Sequence, residues 1–309
     1  MKSAPPLIQV FILTYNRPAY FQIALNSILN QNFEDYSVVV SDNSTDDDTE
    51  QLIQRNHYPR LHYIRRKPSL PPLEHFNAVL SEVTSDYFMI FHDDDIMEPD
   101  CLKLLSKKLK NNPDAAAAGG NASCFWNEMV VSTGNFLSKK NGDRVLSSPG
   151  ELASIYLLFD EVAPFPSYMY RRKMVNGLTL SPNEGGKYAD MSFLMKVLGK
   201  GKIIWEGQIV MRYRKHTTQD SQKTDMKNAA SLLQYIIQNT DIRKKSYEVR
   251  YFRYKSWAGV LKSDFLNPDS RLSKKRLRKI YCAIMKFSTF DIFLKLVVWQ
   301  FLFYIKRGK

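Results

Sequence analysis

The stretch FHDDDIMEPD, Phe91 to Asp100, sets three consecutive carboxylates directly after the apolar and aromatic run YFMIF. Carboxylates this close repel one another unless a cation sits among them. Two readings follow from residue type. Aspartate favours turns and helix N-caps, so Asp93, Asp94 and Asp95 would suit a solvated turn. The next helix starts near EPDCLKLL, however, with Glu98 available as its cap and Pro99 at its start, so it does not need the aspartates. The other reading is a divalent cation, Mg(II) or Mn(II), bound through one or two carboxylates together with the phosphates of a substrate.

The elements that would present these residues alternate between strand and helix. Leu7 to Leu13 is a continuous apolar run of strand length, ended by TYNRP. Pro18 suits the first turn of a helix, because its missing N–H would be unpaired there anyway. The segment AYFQIALNSILN then puts Phe21, Ala24 or Leu25, and Ile28 on one helical face. YSVVVSD reads as a second buried strand, followed by the turn-rich DNSTDDDT and a helix to about Arg55. LHYIR is a third strand, a helix runs through HFNAVLSEV, and DYFMIF is a fourth strand that delivers the aspartates at its C-terminal end. This alternation implies an α/β fold with a doubly wound, mostly parallel sheet, which binds ligands outside the carboxyl ends of its strands. TYN, SDNST and DDD would then share one rim.

In that order and at those separations, FILTYNRPAYFQIALNSILNQ, VVVSDNSTDDDT and DYFMIFHDDDIMEPD resemble family 2 glycosyltransferases, which share the nucleotide-sugar-binding GT-A fold. The resemblance covers roughly residues 7 to 220. It implies a nucleoside-diphosphate sugar bound over the first half of the sheet, a metal held by a DXD motif, and sugar transfer to an acceptor with inversion at the anomeric carbon. Carried over, Thr14, Tyr15 and Asn16 occupy the first nucleotide-contacting loop. Asp42 stands where a carboxylate accepts a hydrogen bond from the base, or else caps its strand end, and Asn77 matches a family asparagine. Alignment on Ile96 puts His92 where the family's first aspartate stands. That leaves Asp94 as metal ligand, Asp93 near the ribose or diphosphate, and Asp95 as second ligand or orienting group, with His92 a strand-end packing residue. A literal Asp93-x-Asp95 spacing would shift these roles by one residue.

The segment GGKYADMSFLMKVLGKGKIIW resembles the one that carries the family's catalytic base, usually a Glu-Asp pair; here Ala189 replaces the Glu and Asp190 remains. Asp190 would take the acceptor's proton, its alternative role being to cap the following helix, and Glu184 in the same loop is the second candidate. After IIWEGQIVMRY comes RKHTTQDS, where the family often carries a metal-binding histidine, here His216. Arg212, Arg214 and Lys215 flank it as diphosphate partners or as solvated charges. FPSYMYRR, from Phe165, lies where the acceptor pocket is often built.

Composition bounds the rest. The net charge of +13 is uneven: residues 241–309 hold 18 Lys and Arg against 5 Asp and Glu, while residues 1–240 balance. The reading is therefore a catalytic domain over 1–240 and a basic, amphipathic helical region over 241–309. RKKSYEVRYFRYKSW and SKKRLRKIYCAIMKF interleave basic with aromatic and aliphatic residues at helical spacing. FSTFDIFLKLVVWQFLFYIKRGK has the length to cross a bilayer but carries Asp291, Lys295 and Gln300 inside it. Helices lying on an anionic membrane surface fit best, with a helical cap on the catalytic domain as the alternative. No nucleic-acid motif accompanies the basic residues, so nucleic acid is not expected as a partner. Three widely spaced cysteines and a start that reads as a strand rather than a signal peptide suggest a cytoplasmic protein, and the charge split suggests that it lies on the inner face of the membrane; a glycan or lipid-linked acceptor is what the family resemblance allows. Two other classes remain: a sugar nucleotidyltransferase, which would need a glycine-rich phosphate loop that TYNRPAYF lacks, and a non-catalytic basic binder, which would need none of the carboxylates.

Overall fold

In the computed structural model, which describes residues 6–56, 58–126, 129–137, 142–216, 225–266 and 282, the run IQVFILT forms β1 (Ile8–Thr14). Helix α1 (Pro18–Leu29) follows with Pro18 in its first turn and buries Phe21, Ala24, Leu25 and Ile28, the face set by their spacing. Next come β2 (Tyr36–Asp42), α2 (Asp48–Gln54), β3 (Leu61–Arg65), α3 (Pro72–Glu82) and β4 (Tyr87–His92), each at its anticipated place. Their strands pair in parallel, Ile8 lying opposite both Tyr36 and Tyr87 and Val38 opposite Leu61. The chain continues through β5 (Ile96–Met97), α4 (Cys101–Asn111), β6 (Ala115–Trp126), β7 (Met129–Asn135), β8 (Arg144–Leu146) and α5 (Pro149–Phe159). It then forms β9 (Met169–Arg171), α6 (Arg172–Val175), α7 (Ala189–Leu198), β10 (Lys202–Lys215), α8 (Met226–Asn239) and α9 (Tyr247–Leu266).

Among the described residues these strands make one sheet in the order β3-β2-β1-β4-β9-β6-β10-β5, with β7 on β6 and β8 on β10. β6 and β10 run parallel, and β9 lies antiparallel between β4 and β6, so it joins the two parallel groups. Helices cover both faces, which is why the central strands read as unbroken apolar runs rather than alternating ones. Val10, Ile12, Met89 and Phe91 pack towards α1 and α4, while Phe11, Phe88 and Ile90 pack towards α3, α5 and α7.

Three expectations are corrected. Helix α4 begins at Cys101, later than expected, and Glu98 does not cap it; the Glu98 carboxylate accepts a hydrogen bond from Arg212 Nε at 2.7 Å. FPSYMYRR does not line an open pocket as a whole: it supplies β9, with Tyr168, Tyr170 and Arg171 buried in the middle of the fold. The charge boundary near residue 240 is not a packing boundary. Ile242, Val249 and Phe252 are buried in the same core as α5 and α8, and the Phe252 ring lies 5.8 Å from that of Tyr156. SKKRLRKIYCAIMKF and FSTFDIFLKLVVWQFLFYIKRGK, apart from Cys282, lie outside the described residues. No helix among the described residues is long and apolar enough to cross a membrane.

Candidate active site

Three loops meet at the carboxyl ends of β1, β2 and β4, where Thr14 stands opposite Asp42 and Leu13 opposite His92. The Tyr15 N–H donates to Asp93 Oδ2 at 3.1 Å and the Asn16 N–H to Ser44 Oγ at 2.9 Å. Asn16 has a φ of 52°, a left-handed conformation that asparagine tolerates, and its side chain exchanges two hydrogen bonds with Thr45. The three motifs therefore share a rim and are bonded to one another. With Arg17, Leu70, His75 and His92 they line a cleft of about 640 Å³, inside the size range of small-molecule sites.

The aspartates have separate environments. Asp93 is buried, and burial pushes its carboxyl up to about 6 against the pull of Arg17. For Asp94 burial also disfavours the charge, but His92, Arg17 and His216 outweigh it and hold the carboxyl below the usual range. Its Oδ2 accepts from Arg17 Nη1 at 2.8 Å and lies 3.1 Å from His216 Nε2. Asp95 accepts the Arg214 N–H on Oδ1 at 3.0 Å, while its Oδ2 is buried without a hydrogen-bond partner. Burial, with Asp94 adding, pushes Asp95 well up. A buried oxygen with no donor, set among like charges, is what a bound cation would satisfy, so the residues fit a divalent ion. One donor atom from each of His92, Asp94 and Asp95 lies within 4.8 Å of the others.

The structure also revises several roles. His92 opens onto the cleft rather than serving only to pack a strand end. Arg214 is neither a solvated charge nor free for a diphosphate. It is buried, its guanidinium lies 4.4 Å from the Tyr20 ring and 4.5 Å from Phe125, and its Nε donates to the Asp94 carbonyl at 2.8 Å. Arg17, which the sequence reading missed, bridges Asp94 and Asp93, the latter at 3.4 Å. Its signal was a lone cation two residues beyond Tyr15 in TYNRP.

Asp42 is fully buried, so it presents no oxygen to the cleft. It takes hydrogen bonds from the Ser44 N–H, the Tyr63 hydroxyl at 2.6 Å and Arg65 at 2.8 Å. Asp42→Ala would take the acceptor from the Tyr63 hydroxyl and one carboxylate from the half-buried Arg65, which keeps Asp46 and Asp47, and should lower stability by about 1–3 kcal/mol, as removing a buried hydrogen-bond acceptor does. Denaturant unfolding of the variant checks this; an unchanged midpoint would return Asp42 to a purely ligand-facing role. Asn77 is likewise committed, its side chain pairing both the N–H and the carbonyl of Leu180, at 2.8 and 2.9 Å. It thereby ties α3 to the loop before α7.

That loop leads into the helix that carries Asp190. Gly185 and Gly186 have φ of 120° and 57°, and a Cβ on Gly186 would sit 2.2 Å from Asn228 Oδ1, so glycine is required for the turn against α8. Asp190 lies in the first turn of α7, accepts the Met191 N–H at 2.8 Å, and is pushed up to about 6 by burial. No hydrogen bond or ion pair joins it to the aspartates of the cleft among the described residues. Glu184 is ion-paired with Lys196, which leaves Asp190 as the carboxyl tuned towards neutrality.

Residues 9–156 match the family described as Glycosyl transferase family 2. The matched stretch is just under half of the chain, and it is similar to family 2 glycosyltransferases. The chain is 39% identical to the abequosyltransferase RfbV of Salmonella typhimurium over 113 residues, 35% of this chain and 34% of that protein. It is 28% identical over 151 residues to a GalNAc(5)-diNAcBac-PP-undecaprenol beta-1,3-glucosyltransferase of Campylobacter jejuni, 48% of this chain and 46% of that one. The chain thus spans about a third to a half of these curated relatives. In fold, the chain matches TarS of S. aureus in complex with UDP-GlcNAc, with a TM-score of 0.64 and 16% identity over 91% of this chain and 80% of that one. It also matches the mannosyltransferase PcManGT of Pyrobaculum calidifontis in complex with GDP-Man and Mn2+, with a TM-score of 0.60 and 14% identity over 97% and 81% of the two chains. The mostly parallel α/β sheet is that of the GT-A glycosyltransferases.

Proposed function

We propose that the chain transfers a sugar from a nucleoside-diphosphate sugar to an acceptor hydroxyl, with inversion, in the synthesis of a bacterial polysaccharide or glycolipid. The observation that carries this reading is the cation-ready cluster of His92, Asp94 and Asp95 at the cleft; Asp190, on a separate helix and pushed up to about 6 by burial, supports it as a candidate base. The named relatives support it, one of them through a PP-undecaprenol-linked glycan in its name, and so do the nucleotide sugars in the solved neighbours.

In this reading the donor lies along the rim of Thr14, Tyr15, Asn16 and Asp93, and Asp94 and Asp95 hold Mn(II) or Mg(II). A divalent cation there supplies charge neutralisation for the departing nucleoside diphosphate. Arg17, already at the carboxylates, is placed to transfer to a phosphate oxygen. Asp190 accepts the proton of the attacking hydroxyl, and a carboxyl near 6 is mostly ionised at neutral pH yet still basic enough to take it. A panel of nucleotide sugars, followed by release of nucleoside diphosphate with Mn(II) or Mg(II), tests the reading. One donor should stand out, and failure of every nucleotide sugar to bind would overturn it.

The acceptor side of the proposal is a lipid-linked glycan met at the cytoplasmic face of a membrane. Each Lys or Arg near an anionic surface contributes about 1 kcal/mol, so a few of the 18 after residue 240 would suffice. Full-length protein should sediment with anionic vesicles at low salt and be only partly released by high salt, since inserted aromatics are insensitive to screening. A version ending at Leu266 keeps the core residues Ile242, Val249 and Phe252 and should bind vesicles less. Full-length protein that ignores anionic vesicles at low salt would remove the membrane from the proposal.

A further inference from the structure

His92 has metal-binding chemistry but no hydrogen-bond or ion-pair partner among the described residues. It ends β4 opposite Leu13 and lines the cleft beside Asp93 and Asp94. The carboxylates next to it each keep an oxygen in reserve. Asp95 gives Oδ1 to the Arg214 N–H and leaves Oδ2 buried and unpartnered. Asp94 shares Oδ2 between Arg17 and His216, which leaves Oδ1. Among the described residues, His92, Asp94 and Asp95 form the only set of three such side chains with donor atoms within 4.8 Å of one another, and His216 is not in it. Nε2 of His216 faces the Asp94 carboxylate instead, the arrangement in which a histidine orients a ligand.

We propose that His92, Asp94 and Asp95 are the cation ligands, that His216 orients Asp94, and that the imidazole makes the site favour Mn(II), Co(II) or Zn(II) over Mg(II). This rests on the cation reading given under Proposed function. Magnesium demands oxygen ligands in near-octahedral geometry and gives up its water reluctantly, whereas an imidazole nitrogen binds later first-row ions better.

The test uses purified full-length protein with Mn(II) and added UDP or GDP, bound Mn(II) being counted by EPR and its nitrogen couplings read by pulsed EPR. The wild type should show a nitrogen coupling that survives in His216→Gln and disappears in His92→Gln. The latter should also lose at least about tenfold in Mn(II) affinity, since even loss of an outer partner costs that much. His92→Asp, which restores an all-oxygen set, should keep a cation and shift the preference towards Mg(II). Nucleotide binding by each variant shows that it is folded. Loss of the coupling in His216→Gln but not in His92→Gln would give the ligand role to His216, and Mn(II) bound without nitrogen coupling in the wild type would make His92 a bystander. If UDP or GDP binds and no cation does, both this inference and the cation part of the proposed function fall, while the donor cleft stands. If neither nucleotide nor cation binds, all three fall together.

Discussion

Asp190→Asn should lower sugar transfer by about 100-fold or more while leaving nucleotide and cation binding in place, because a proton acceptor is lost and the donor rim is untouched. The side chain sits in the first turn of α7, and asparagine can still accept the Met191 N–H that the aspartate accepts. The pH profile separates this role from a structural one. In the wild type, kcat/KM should rise about tenfold per pH unit below about 6 and level off above it, whereas the variant should lose that limb. Stability runs the other way. The folded-state value lies above that of an unfolded aspartate, so between about 4 and 6 the native protein holds a proton that the unfolded chain has released, and stability falls as pH rises through that window. Thermal unfolding should therefore show the asparagine variant gaining on the wild type at about pH 8 and not at about pH 4. Near-normal turnover in the variant would move the base elsewhere.

The second large effect is expected at Asp94. Asp94→Asn should weaken donor binding by about 10- to 100-fold in Mn(II) and change it little in chelator, since only the cation-bridged part of the interaction is removed. Arg17 loses the charge of its 2.8 Å partner in this variant but keeps Asp93, so the rim should hold its shape without the cation. Calorimetric titration of the donor's nucleoside diphosphate under both conditions checks the contrast. Equal affinities for wild type and variant in Mn(II) would end the cation role of Asp94.

The first half of the fold was legible because its signals are local. Phe21, Ala24, Leu25 and Ile28 recur at helical spacing, Pro18 marks a helix start, and apolar runs such as YSVVVSD have strand length. The rim of TYN, SDNST and DDD follows from those elements. What stayed hidden depends on partners far along the chain. Nothing near Asp42 says that Tyr63 and Arg65 will enclose it, and nothing near Glu98 says that Arg212, 114 residues on, will take its carboxylate from the helix cap. Arg17 looked like one cation among many until Asp93 and Asp94, more than 70 residues away, gave it a partner. Charge counting placed a boundary near 240 because composition changes there, yet burial of Val249 and Phe252 depends on which apolar side chains α5 and α8 leave uncovered.

The pinning of Arg214 bears on how the protein comes into being. Its Nε reaches the Asp94 carbonyl across 120 residues, and its N–H reaches Asp95 across 119. The region shared with the family, residues 9–156, stops short of both β9, which fills the middle of the sheet, and β10, which brings Arg214. During synthesis the amino-terminal strands can collapse early, but the long loops that close on β9 and β10 come later. A half-made chain on the ribosome would carry Asp94 and Asp95 without the contacts from Arg214 and His216 that hold them, so competence to grip a cation and a nucleotide should arrive only once the last strand is in place.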